Sequence, residues 1–90
     1  MKTIRAIVSG RVQGVWYRAH TRDKAVELGV AGFVRNLPDG TVEIVAQADP
    51  VPVQALMDWA RTGPPMAVVH GLQVEELTGN EIYDTFDVAY

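Results

Sequence analysis

The hydrophobic period of this chain switches between two and about 3.6 residues in a set order, and that order leaves few folds open. Ile4, Ala6 and Val8 alternate with Arg5, Ile7 and Ser9. With Val12 sharing their face across Gly10, they predict a strand over about 3–12. From Arg18 to Leu28 the period is helical: Tyr17, Thr21, Ala25 and Leu28 form one narrow inward stripe, and Arg22, Asp23, Lys24 and Glu27 make the wet side. Gly29 stands where a helix C-cap belongs. Ala31–Leu37 reads as a second strand, with Phe33, Arg35 and Leu37 on one face and Val34 and Asn36 on the other. Pro38-Asp39-Gly40 is a tight turn, short enough to join a third strand over about 41–48 as an antiparallel hairpin. There Val42, Ile44, Ala46 and Ala48 alternate with Glu43 and Gln47.

Asp49, with Pro50 and Pro52 in the entry turn, opens a second helix over about 51–62. Val53, Leu56, Met57 and Ala60 face the sheet, Trp59 flanks them, and Gly63-Pro64-Pro65 stops the helix. A fourth strand covers about 66–77, with Leu72 and Val74 inward and Gly71 marking a bulge. Thr85–Tyr90 closes the chain as a short strand. The order β-α-β-β-α-β plus a terminal strand predicts a ferredoxin-like split β-α-β, of the α+β class. Two helices should cover one face of an antiparallel sheet, with strands one and three central and strands four and two outside. Ninety residues suffice for one core, so residues 1–90 are read as a single domain.

The turn between the first strand and the first helix is where chemistry could sit. It carries Gly10 and Gly14 and ends on Arg18. The first N–H groups of a helix have no intrahelical partner, and the positive end of the dipole lies there. Glycine lets the backbone approach a ligand, and successive turn amides form a concave nest. A guanidinium beside them adds a planar fork suited to phosphate oxygens. Taken by itself, the turn is more simply a plain connection with a solvated arginine. Asn36, near the hairpin, could hold a water against a bound phosphate, or merely shape the turn that follows; the residues alone do not separate the two.

Several other chemistries are excluded. There is no cysteine, so disulfide frameworks, zinc–thiolate sites and thiol catalysis are absent. With only His20 and His70 as nitrogen ligands, no metal site is expected, and both read as ordinary surface or boundary residues. No Gly-Lys-Ser/Thr sequence follows the loop, so it is not a nucleotide-binding P-loop. A net charge of −3 argues against a nucleic-acid partner. Met1-Lys-Thr-Ile-Arg lacks the apolar core of a signal peptide, and no apolar run approaches membrane-spanning length, so a cytoplasmic protein with no membrane association is expected.

Gly10-Arg-Val-Gln-Gly-Val-Trp-Tyr-Arg18 and Gly32-Phe-Val-Arg-Asn36-Leu-Pro-Asp-Gly40-Thr-Val42 strongly resemble the two signatures of the acylphosphatases. The resemblance spans essentially the whole chain. It implies a metal-independent hydrolase, without cofactor, that splits the carboxyl–phosphate bond of a small acyl phosphate and releases inorganic phosphate. It further implies that the backbone of Arg11, Val12, Gln13, Gly14 and Val15, with Arg18, binds the phosphoryl group, that Asn36 orients the attacking water, and that the protein is a monomer. One departure is visible: Ala48 stands where the second signature usually ends on glycine, which bears on strand geometry and not on Arg18 or Asn36. Two other classes share the fold. An RNA-recognition module is faintly echoed by Gly32-Phe33-Val34-Arg35 but lacks a second stacking aromatic on strand one. A regulatory or carrier domain would bind an acyl or carbamoyl phosphate without turnover.

Overall fold

In the computed structural model, which describes residues 1–89, the periodicities resolve into five strands and two helices. They are β1 (Lys2–Arg11), α1 (Tyr17–Leu28), β2 (Ala31–Asn36), β3 (Val42–Ala48), α2 (Pro50–Ala60), β4 (Val68–Leu77) and β5 (Phe86–Ala89). Tyr90, the last residue of the expected closing strand, lies outside the described residues. The strands form one sheet in the order β4-β1-β3-β2-β5. Strands β1 and β3 are central, as the right-handed crossovers require. β4 and β3 flank β1 and β2 flanks β3, all antiparallel, which gives the expected ferredoxin-like class. β5 extends the sheet beyond β2 and runs parallel to it, so the sheet is mixed and β2 is not an edge.

Alternation explains the core. Ile4, Ala6 and Val8 of β1, Val34 of β2, and Val42, Ile44 and Ala46 of β3 are buried beneath the helices. Val53, Leu56, Met57 and Ala60 close over them from α2, at the spacing of one helical face. From α1 come Tyr17, Thr21 and Ala25. The buried Thr21 hydroxyl donates to the Tyr17 carbonyl one turn back, at 2.7 Å, so no polar group is stranded. The Tyr17 hydroxyl donates to the Ala60 carbonyl at 2.8 Å, and its ring lies 5.8 Å from that of Trp59. Burial raises the pKa of this phenol, which stays protonated. Tyr17 is therefore a packing residue that ties the start of α1 to the end of α2. Gly29 ends α1 in the left-handed conformation, as expected. Ala48 pairs with Lys2 in an unbroken β1–β3 register, so the missing glycine leaves no irregularity there.

One expectation of facing is corrected, and the opposite face of β3 is more buried than alternation alone foretells. Val74 is 45% exposed because β4 lies at the sheet edge; Leu72, closer to the helices, does pack on the core. Glu43 and Gln47 point away from the helices yet are buried. The segment between β4 and β5 crosses the helix-free face from one sheet edge to the other. Gln47 fastens it: its Nε2 donates to the Glu81 carbonyl at 2.7 Å, and its Oε1 accepts from the Tyr83 N–H at 2.9 Å. The Tyr83 ring meets Phe33 edge-on at 6.0 Å. Glu43 is clamped between Arg5 and Arg35, both at 2.5 Å. Burial raises the Glu43 pKa, but the hydrogen bonds and charges of the two guanidiniums outweigh it and hold the carboxyl below its ordinary range.

Candidate active site

The site begins with a bulge at the end of β1. Ser9 lies opposite Gly71 and Gly10 opposite Val69, which leaves His70 as the extra residue on β4. Gly71 is next to the bulge, where the sequence places one. A Cβ on Gly10 would come within 2.2 Å of the Val68 carbonyl oxygen, so only glycine lets the strands close here. Beyond Arg11 the chain leaves the sheet and turns sharply, with positive φ at Gly14 (73°) and Trp16 (65°). Val12 and Val15 insert into the core and pin the loop from below. Gln13 bolts it sideways: its Nε2 donates to the carbonyls of Leu37 and Thr41, each at 2.9 Å. Those carbonyls belong to the turn that follows Asn36. The turn is itself rigid, because Asp39 Oδ1 accepts from the Thr41 N–H at 3.0 Å and the Thr41 hydroxyl at 2.6 Å. The two bonds hold the Asp39 carboxyl below its usual pKa. The loop and Asn36 are thus fixed relative to one another.

The loop delivers the chain directly into α1. Trp16 occupies the N-cap position with no side-chain cap, and the first turn holds no acidic residue. The first ladder bond runs from the His20 N–H to the Trp16 carbonyl, at 3.1 Å. The amides of Tyr17, Arg18 and Ala19 therefore precede the ladder. Arg18 adds a full positive charge in the same turn. Its Nη1 donates to the Ala89 carbonyl of β5 at 3.3 Å, which steadies the guanidinium from the far edge of the sheet.

These parts surround a cleft of about 330 Å³. Arg18 and Asn36 both line it, with Val12, Gly14, Trp16, Ala19, Arg22 and Val88. Among the described residues, Asn36 Oδ1 is a buried side-chain oxygen without a hydrogen-bond partner. A buried polar atom left in that state is costly unless a ligand or water meets it. Of the other residues expected at the site, Val12 and Gly14 reach the cleft. Arg11 is exposed at the end of β1, Gln13 serves as the bolt, and Val15 is an anchor. Trp16 and Arg22 are additions. Arg22 lies four residues after Arg18, a spacing that shares a helix face and that sequence could have flagged. Among the described residues no Asp or Glu side chain lines the cleft, and two arginines, Arg18 and Arg22, do. Among the described residues, no group of three His, Cys, Asp or Glu side chains could hold a metal ion. The arrangement suits an anion with tetrahedral oxygens, held by amides and a guanidinium beside a polar group ready to meet water.

The comparisons point the same way. A family model described as acylphosphatase matches residues 4–88. An acylphosphatase of Methylococcus capsulatus is 53% identical over 88 residues, covering 98% of this chain and 96% of its own. The crystal structure of acylphosphatase from Bacillus subtilis superposes with a TM-score of 0.96 at 34% identity over the whole of both chains. The structure of an acylphosphatase from Coxiella burnetii gives 0.93 at 41% identity, over 98% of this chain and 92% of that one.

Proposed function

Because the chain belongs to the acylphosphatase family and hydrolyses acyl phosphates to a carboxylate and inorganic phosphate, we propose that the loop amides, Arg18 and Asn36 carry the reaction without a metal ion. The phosphoryl oxygens lie in the nest around Gly14 and the first turn of α1, and Arg18 closes it with two donors. These groups are fixed before substrate arrives, so they stabilise charge in the transition state with little reorganisation. Asn36 Oδ1 accepts a hydrogen from the attacking water and holds its lone pair toward phosphorus. The water oxygen bonds to phosphorus as the phosphorus–acyl oxygen bond breaks, and the electron pair leaves with the carboxylate. The water proton passes to a phosphoryl oxygen. A carboxylate is a good leaving group, so no general acid is needed, and positioning with charge stabilisation suffices.

The observation that carries this assignment is the partnerless Asn36 oxygen in the same cleft as Arg18. The same proposal makes the protein a cytoplasmic monomer that takes no nucleic acid. The net charge of −3 supports the last point, and Glu75 and Glu76 on the open edge strand β4 disfavour edge-to-edge pairing. No helix among the described residues is long and apolar enough to cross a membrane. Benzoyl phosphate hydrolysis in excess chelator should equal that in magnesium. A large loss that magnesium restores would contradict the metal-free mechanism.

A further inference from the structure

Trp16 is the single non-glycine residue with positive φ among the described residues. A left-handed conformation strains an L-residue and suits glycine without cost. Two residues earlier the chain uses glycine for the same purpose, at Gly14. The bulky side chain at Trp16 is not explained by packing either, since the residue is 75% exposed. Neither backbone geometry nor the core accounts for an indole here. The cleft does: Trp16 lines it together with Val12, Ala19 and Val88, opposite in character to Arg18 and Asn36. The cleft holds about 330 Å³, where a single water needs only about 10–15 Å³. That exceeds what a phosphoryl group and one water require.

We propose that Trp16 is the wall of an acyl subsite, against which an aromatic or extended apolar acyl group stacks while its phosphate lies in the nest. The preferred substrates are then acyl phosphates of that class. This inference rests on the assignment of the phosphoryl group to the loop, Arg18 and Asn36. A flat indole offers an acyl ring both burial and face or edge contact, and a methyl group can use little of either.

The test compares kcat/KM for benzoyl phosphate and acetyl phosphate in wild type, Trp16→Phe and Trp16→Asn. Asparagine tolerates the left-handed conformation and keeps a Cβ but has no ring. The benzoyl-to-acetyl ratio should fall about tenfold in Trp16→Asn and stay within about threefold of wild type in Trp16→Phe. Trp16→Gly, which suits the same φ, should repeat the asparagine result and stands in if that variant does not fold. A ratio unchanged in the ringless variants, with both substrates altered by one common factor, would overturn the subsite. A wild-type protein that turns over neither substrate would instead overturn the assignment of the cleft.

Discussion

Arg18 joins three things at one residue: a charge at the start of α1, a bond to the Ala89 carbonyl and a place on the cleft wall. Its loss should remove a charge-assisted contact that strengthens in the transition state, costing roughly a thousandfold or more in rate. Arg18→Ala and Arg18→Lys should both be crippled, because lysine lacks the fork. Near-normal benzoyl phosphate turnover in Arg18→Ala would sink the assignment. Asn36 is expected to act on the water, so Asn36→Ala should lower kcat strongly and leave inhibition by inorganic phosphate unchanged. Phosphate inhibition that weakens in step with kcat would make Asn36 a binding residue. Both side chains could be singled out in the sequence only through the signatures shared with the acylphosphatases; by itself the glycine turn reads as a plain connection, and Asn36 stays open between two roles. Trp16 was not legible, since positive φ is foreseen at glycine and not at tryptophan. Nor was the Gln13 bolt: its acceptors lie 24 and 28 residues away and exist only once the hairpin turn has docked.

Among the elements, the three central strands β1, β3 and β2 are cross-tied on the helix-free face by Arg5, Glu43 and Arg35. The Glu43 carboxyl titrates below its ordinary 4.5 in the fold, so the unfolded chain takes up this proton first as pH falls. The stabilisation is complete above about pH 4.5 and is lost as pH drops through the lower, folded value. Glu43→Gln should cost about 1 kcal/mol at pH 7, the guanidiniums being partly solvated. It should also flatten the acid limb of a urea-midpoint profile; a limb of unchanged steepness would show that other carboxyls govern acid unfolding. Helices α1 and α2 and the β2–β3 hairpin could be read from the chain because each has a sustained period or a turn of definite chemistry. The parallel pairing of β5 and the crossing segment before it could not. Four residues carry too little pattern to reveal a partner, and Gln47, which fastens that segment, looks in sequence like any solvated strand position.

For the molecule as a whole, product binding and folding are linked. On the proposed assignment phosphate fills the nest, and a ligand that binds only the folded state adds ~2.7 kcal/mol at a hundred times its dissociation constant. Each kcal/mol raises the melting temperature of a domain near this size by roughly 4–8 °C. Phosphate should therefore raise the melting temperature of wild type more than that of Arg18→Ala, against chloride at matched ionic strength. The general salt effect appears in both proteins, and only the excess reports the site. Equal rises would remove Arg18 from the phosphate site. The central place of β1 also sets how long the chain takes to find this state. Arg5 meets Glu43 and Glu75, 38 and 70 residues away, so the first strand made must wait for partners from the middle and the far end of the chain. Closing such large loops precedes any gain from the sheet, and domains of mixed topology with distant pairings refold in milliseconds to seconds, not microseconds. Stopped-flow tryptophan emission after dilution from urea should show that slow approach; completion within microseconds would mean that the helices, and not the sheet, decide the pace.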